Sequence, residues 1–365
     1  MNGTKRLPGC FAVQDPSYSW YKDHRKALPQ AAMDKYKIAF YHKHLINPKT
    51  VGPAADCLQN AGHKLRLAND GVMDNWRDDD LLWIQGNANW YPRICRTLEQ
   101  AGTERPPVVI WHTEPLPPRP GSGYRSDRLH LHEIKKILLR DPRATDPYTN
   151  SLRISRLQKY GLPDILVVSS RSWQQYLASR RIISHFIPFG YESKRHGRLL
   201  GLPRDIDVLF LGTAQTSRRR GLLKQLRRAG VDVRVEGRWD ASGTWGEYRT
   251  NLLNRTKILL NLQRHPGELA GMRMILGMSN GALVISEPID HPDPYLPGKH
   301  FIEAPVGQMP AVIRHYLECA DEREQITREA HLLVVEKLTM QASVSHILEL
   351  ARAYTRPRED SGIAT

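Results

Sequence analysis

The stretch Pro266-Gly-Glu-Leu-Ala-Gly-Met-Arg-Met-Ile-Leu-Gly-Met-Ser-Asn-Gly-Ala-Leu-Val-Ile-Ser286 decides how this chain is read. It follows the apolar run Ile258-Leu-Leu-Asn-Leu262 and turns at Pro266-Gly267. A helix opens near Gly271 and stops at Asn280-Gly281, before a second apolar run, Ala282-Leu-Val-Ile285. Strand, helix and strand in so short a span make a βαβ crossover, which sets its strands parallel. A helix entered through small residues presents unpaired N–H groups and the positive end of its dipole to an anion. A diphosphate would sit at Ala270, Gly271 and Met272. Glu268, just ahead of the helix, would accept hydrogen bonds from sugar hydroxyls, and Arg273 would pair with a phosphate through two N–H groups. Taken alone, the segment is equally readable as an ordinary βαβ turn with an acid at the helix start.

Working outward, the same grammar repeats. In the second half, strands are expected at Val208–Leu211, Val231–Val235, Ile258–Leu262 and Ala282–Ile285, with helices between them and three more after Met309. In the first half, strands are expected at Lys37–Tyr41, His63–Leu67, Leu81–Ile84, Val108–Trp111 and Ile165–Val168, with helices such as Pro53–Asn60, Asn150–Tyr160 and Ser172–Arg180. The basic, Gly- and Pro-punctuated run Ser193–Arg204 carries no apolar periodicity and separates the halves. The expected organisation is an irregular extension over 1–34, a Rossmann-like domain over 35–192, a second over 204–345, and a helix end with a polar tail over 346–365.

The 365 residues suit two α/β domains. No run approaches the length of a membrane-spanning helix, and the first 30 residues lack an apolar leader core. The expected address is the cytoplasm, with peripheral attachment to an anionic membrane surface as the alternative. Four cysteines without C-x-x-C spacing argue against a disulfide framework or zinc ribbon. The net charge of +15 attracts phosphates, nucleic acid, anionic lipid or acidic polymers without choosing among them.

With those residues in view, the chain resembles GT-B glycosyltransferases, the broad glycosyltransferase group 1 superfamily, and within it the CgeB-like branch. The family pattern has a Glu, a Gly three residues on, a second Glu eight residues after the first, and a small-residue turn before a strand. Glu268, Gly271 and Gly281 fall on it, while Leu276 stands where the second, ribose-holding Glu would be. Asp207-Val-Leu-Phe-Leu-Gly212, Tyr295-Leu-Pro-Gly298 with His300-Phe-Ile-Glu303, and Ile187-Pro-Phe-Gly190 resemble further family segments. The resemblance covers about 205–350 well and the first half in outline. It implies an α/β, GT-B fold of two facing Rossmann-like domains with mostly parallel sheets. It implies transfer of a hexosyl group from a nucleotide diphosphate sugar, acting as co-substrate, to a glycan, lipid-linked or other hydroxyl acceptor, with no metal and no separate cofactor.

Other residues extend the candidate site. Gly212-Thr213, at a strand-to-helix turn, would let the backbone approach a phosphate, with Arg218, Arg219 or Arg220 adding charge. Arg219 is taken as the donor-binding one. Trp111-His-Thr-Glu-Pro115 puts His112 and Glu114 at the C-terminal end of a strand, where open sheets bind ligands. Together with Glu268 they are the catalytic candidates. Asn47 and Asn87, with Lys49 and Gly86, lie at equivalent strand ends, and the two asparagines are assigned to the acceptor. Asp78-Asp-Asp80, His42-x-His44 and His130-x-His132 read as solvated loop or cleft residues, not metal ligands. Two rivals stay open: a non-catalytic GT-B-like binder of nucleotide or glycan, and a basic protein that binds or modifies nucleic acid, which ranks behind the first.

Overall fold

The computed structural model describes residues 35–42, 48–69, 76–86, 91, 97–99, 105–117, 138, 147–214, 216–237, 246–269 and 271–354. Lys35–Thr365 make one compact unit, and the extension expected over 1–34 lies outside the described residues.

The first sheet is built by Lys37–His42 (β1), Lys64–Asn69 (β2), Leu81–Gln85 (β3), Val108–His112 (β4), Ile165–Val168 (β5) and His185–Phe186 (β6). Pro48–Asn60 (α1), Pro147–Gln158 (α2) and Arg171–Ser179 (α3) are described among its connections. The strand order is β2-β1-β3-β4-β5-β6 and every pairing is parallel. β3, β4 and β5 are buried along their whole length, as strands covered on both faces must be. One face packs Ile84, Ile110 and Leu166 against Ile154, Leu157 and Leu177. The other carries touching rings, Phe40 on Trp83, Trp83 on Trp111 and Trp111 on Phe189.

The second sheet uses Ile206–Leu211 (β7), Arg234–Glu236 (β8), Thr256–Asn261 (β9), Leu283–Ser286 (β10) and Ile302–Glu303 (β11) in the order β11-β10-β9-β7-β8, again wholly parallel. Ser193–His196 (α4) lies in the interdomain run. Ser217–Arg228 (α5), Glu247–Asn254 (α6), Gly271–Ser279 (α7), Met309–Glu318 (α8), Ala320–Leu332 (α9) and Met340–Arg352 (α10) follow, with a π-helical turn at Leu333–Lys337. The strand expected at Val231–Val235 shrinks to Arg234–Glu236. Val231 and Val233 instead pack with Leu223 and Leu226 in the core, so their hydrophobicity serves burial and not pairing. Because β8 and β9 leave β7 on opposite sides, the sheet reverses direction between β7 and β9. Open α/β sheets bind ligands in the crevice beyond the C-terminal strand ends at such a point.

α10 crosses back to the first domain and packs on α1 and β5. Where the two chain segments cross, Tyr191 donates its N–H to Leu338 O (2.6 Å) and Met340 donates to Tyr191 O (2.7 Å). Ser343 Oγ adds a bond to Pro188 O at 2.8 Å. A Cβ on Gly190 would lie 2.4 Å from Met340 Cα, so the close approach requires glycine. The basic run is just as firmly held. Glu192 caps α4 through both carboxylate oxygens, and Arg204 reaches Thr256 O and Asn280 O.

Candidate donor site at the second switch point

The loops leaving β7 and β9 meet at this crevice. Gly212, with φ +145°, donates its N–H to Glu236 O at 2.8 Å, and a Cβ there would come within 3.1 Å of Arg273 Nη2. The glycine therefore leaves the guanidinium its room. Thr213 contributes its carbonyl, which accepts from Arg219 Nη1 at 3.3 Å.

Two arginines share one aromatic ring. Arg219 and Arg273 place their guanidinium carbons 5.6 and 5.3 Å from the Phe210 centroid. Both donate to Leu262 O, Arg219 through Nε at 3.1 Å and Arg273 through Nη1 at 3.3 Å. Arg273 also holds Leu211 O and Asn261 Oδ1 (2.6 Å), which ties β7 to β9. Burial lowers the pKa of both; the charge of Arg219 adds to the fall at Arg273, taking it to about 9, and Arg264 and Arg218 add to the fall at Arg219. Two neighbouring cations in a shielded pocket favour an incoming anion. Arg218, also weighed from sequence, is committed to Glu287, which it meets through both Nη atoms, and to Gln263 O at 2.9 Å. Arg220 is exposed. The residue that sequence reasoning missed is Arg264. It is exposed, has no hydrogen-bond partner among the described residues, and its charge acts on Glu114, Arg219 and Glu268. Its position beyond the end of β9 was the available signal.

Glu268 accepts the His265 N–H at 3.2 Å. Burial raises its pKa, and that N–H with Arg264, Arg219 and Arg273 offsets only part of the rise. The loop is shaped by Gln263, whose Oε1 accepts the Gly267 N–H at 2.7 Å while its Nε2 spans Glu287 O and Pro288 O. Beside it, Asp290 Oδ2 is enclosed without a hydrogen-bond partner among the described residues, a second group that sequence reading passed over. α7 then starts at Gly271, around which a Cβ would meet open space. Met272 packs partly on the core beside Leu209 and Leu259. First-turn amides have no partner inside a helix, so those of Gly271 and Met272 are available. Ala270 lies outside the described residues. Leu276 packs with Leu252, Leu253 and Leu259 and is almost wholly buried, so this position faces the core and not a ligand.

From the first domain comes Glu114, two residues past β4. Burial raises its pKa, Glu268's charge raises it further, and Arg264 opposes both. The charge of Glu268 is thus felt at Glu114, although the two acids belong to different domains. His112 is placed otherwise. It points into the first core, with Nδ1 2.9 Å from the Tyr91 hydroxyl and its ring edge-on to Trp173. It has no exposed surface, and burial lowers its pKa to about 3, the Glu114 main chain offsetting little. Its Nε2 is enclosed with no hydrogen-bond partner among the described residues, so the imidazole expected to meet a substrate is buried two residues before Glu114. Asn47 and Asn87 lie outside the described residues.

Two parallel, doubly covered sheets, a crevice at the β7–β9 reversal, and a last helix returned to the first sheet define the GT-B glycosyltransferase fold. Residues 218–349 match the family model described as glycosyl transferase-like. By structure the chain is similar to Anabaena Alr3699/HepE in complex with UDP-glucose, at 12% identity over 87% of this chain and 100% of that one, TM-score 0.54. It is similar to a glycosyltransferase from Rickettsia africae ESF-5, at 12% identity over 88% and 99%, TM-score 0.57. It is also similar to AviGT4, a glycosyltransferase involved in avilamycin A biosynthesis, at 13% identity over 88% and 98%, TM-score 0.51. No curated protein matches the chain by sequence. None of these matches singles out the CgeB-like branch. Among the described residues no helix is long and apolar enough to cross a membrane.

Proposed function

We propose that this chain transfers a hexosyl group from a nucleoside diphosphate sugar to an acceptor hydroxyl. The observation that carries the reading is the convergence of Arg219, Arg264 and Arg273 with the open start of α7, opposite the carboxyls of Glu268 and Glu114. The diphosphate lies on the amides of Gly271 and Met272. Arg264 and the free edge of Arg273 neutralise the charge that grows as the sugar–phosphate bond breaks. Arg219 holds Thr213 and Leu262 in place and adds field. Glu268 accepts hydrogen bonds from the sugar hydroxyls. Glu114, with its pKa raised, is suited to take the proton of the attacking hydroxyl. The acceptor enters from the first domain, with Asn47 and Asn87 as its candidate contacts. With arginines supplying the positive charge, the diphosphate needs no divalent ion. A uridine diphosphate sugar is the first donor to try, because the similar HepE structure holds UDP-glucose. The strong positive charge suits an acceptor presented by an anionic glycan or lipid surface at the cytoplasmic side of a membrane.

The test is nucleotide release from a panel of UDP-, GDP-, ADP- and dTDP-sugars with glycan and lipid acceptors, with and without EDTA. Acceptor-dependent release that survives EDTA supports the reading. Nucleotide binding without release would make the protein a non-catalytic binder, and no binding of any nucleotide would remove the donor site.

A further inference from the structure

Outside the donor crevice, at the junction of α8 and α9, three different metal-ligating side chains converge. His315 and Cys319 are four residues apart, which stacks them on one helix face. The Cys319 Sγ lies 3.7 Å from His315 Nδ1. The helix breaks at Cys319, with φ −94° and ψ 78°, and the redirected chain brings Glu322 back over the same imidazole, its Oε2 2.9 Å from Nε2. One ligand atom from each residue lies within 4.8 Å of the others.

We propose that His315, Cys319 and Glu322 form a binding site for a divalent ion of the zinc class. Zinc holds sulfur at about 2.3 Å and imidazole nitrogen at about 2.0 Å in a tetrahedron, which sets the two ligand atoms about 3.5 Å apart. The His315–Cys319 pair stands near that spacing already. Glu322 is exposed, and its Oε2 sits on Nε2, the ring nitrogen away from Cys319, so joining an ion bound at Nδ1 requires its side chain to rotate. One thiolate, one imidazole and one carboxylate suit a borderline-soft ion better than magnesium or calcium, which prefer all-oxygen shells. Three protein ligands leave one position for water or an outside ligand. Glu322 and Tyr316 also line an open hollow of about 500 Å³. Arg314 precedes His315 and Lys299 lines the hollow beside Glu322, but over 318–324 the acids Glu318, Asp321, Glu322 and Glu324 outnumber one arginine, Arg323. That arginine is turned inward, donating to Tyr316 O at 2.6 Å. Binding takes Cys319 as its thiolate, the thiol proton passing to solvent. The ion would pin α8 to α9.

The experiment is a titration of the chelator-treated full-length protein with Co²⁺, followed by competition with Zn²⁺. The expected result is a near-ultraviolet thiolate-to-cobalt charge-transfer band that saturates at one ion per chain and is displaced by Zn²⁺. In Cys319→Ser the band is lost, and in His315→Gln affinity falls by roughly tenfold or more. A far-ultraviolet spectrum unchanged in both variants shows that they fold. Absence of the band in the wild type, or a band of full strength in Cys319→Ser, overturns the proposal and leaves His315 and Glu322 as a surface ion pair.

Discussion

The charge of Glu268, at the tip of the loop after β9, raises the pKa of Glu114, in the loop after β4, although the two belong to different domains. A carboxyl whose folded pKa lies above its unfolded value holds its proton more tightly in the native state. It therefore weakens the fold as pH rises from the ordinary carboxylate range through the raised value. Glu114→Gln removes that loss, so thermal denaturation across acidic to neutral pH should show a flatter profile than the wild type. The same change should lower turnover by about a hundredfold or more and erase the acidic limb of the pH–rate profile. Full turnover in the variant would take the base role away from Glu114.

Arg264 and Arg273 separate binding from folding. Arg264→Ala removes a solvent-exposed cation with no hydrogen-bond partner among the described residues. Its stability should stay within about 0.5 kcal/mol of the wild type. Its donor KM should rise roughly tenfold, the worth of one charge-assisted hydrogen bond. Arg273→Ala deletes bonds to Leu211 O, Asn261 and Leu262 O as well, so it should lose both donor affinity and melting temperature. Melting curves and donor KM for the two variants check this.

Leu276→Glu restores the family's second acid but places it among Leu252, Leu253 and Leu259. An unpaired carboxylate there lacks compensation, and the cost should reach several kcal/mol. The expected outcome is a large fall in melting temperature with no gain in nucleotide affinity. Tighter UDP binding in a folded variant would mean that this position reaches the ribose after all.

Gly190→Ala tests the crossing between the domains. The new methyl would meet Met340 Cα and Thr339 O within 2.5 Å, backbone atoms that cannot move aside. Overpacking of this kind costs typically about 1–3 kcal/mol. Calorimetry should show a melting temperature lowered by several degrees, and susceptibility to proteolysis near residue 338 should rise.

Much of this was legible in the chain. Ile165–Val168 and Leu283–Ser286 are short, wholly apolar and bounded by turn residues, so their strands could be read directly. Gly212 and Glu268 could be read as turn residues of a donor site, while the switch point itself emerged from the strand order. What stayed hidden depends on tertiary geometry. His112 and Trp111 lie on opposite faces of β4, and both are fully buried, because the sheet is covered on both sides, which the strand's own residues do not show. The commitment of Arg218 to Glu287, 69 positions away, and the freedom of Arg264 are settled by packing alone. Val231 and Val233 have strand-like character but lie where the core, not the sheet, takes them.

The most direct test is a crystal structure of the protein soaked with UDP. The account predicts the diphosphate within hydrogen-bonding distance of the Gly271 and Met272 amides and of Arg264 or Arg273, with its free end toward Glu268 and Glu114. A nucleotide bound elsewhere, or a helix start filled by protein side chains, would contradict it.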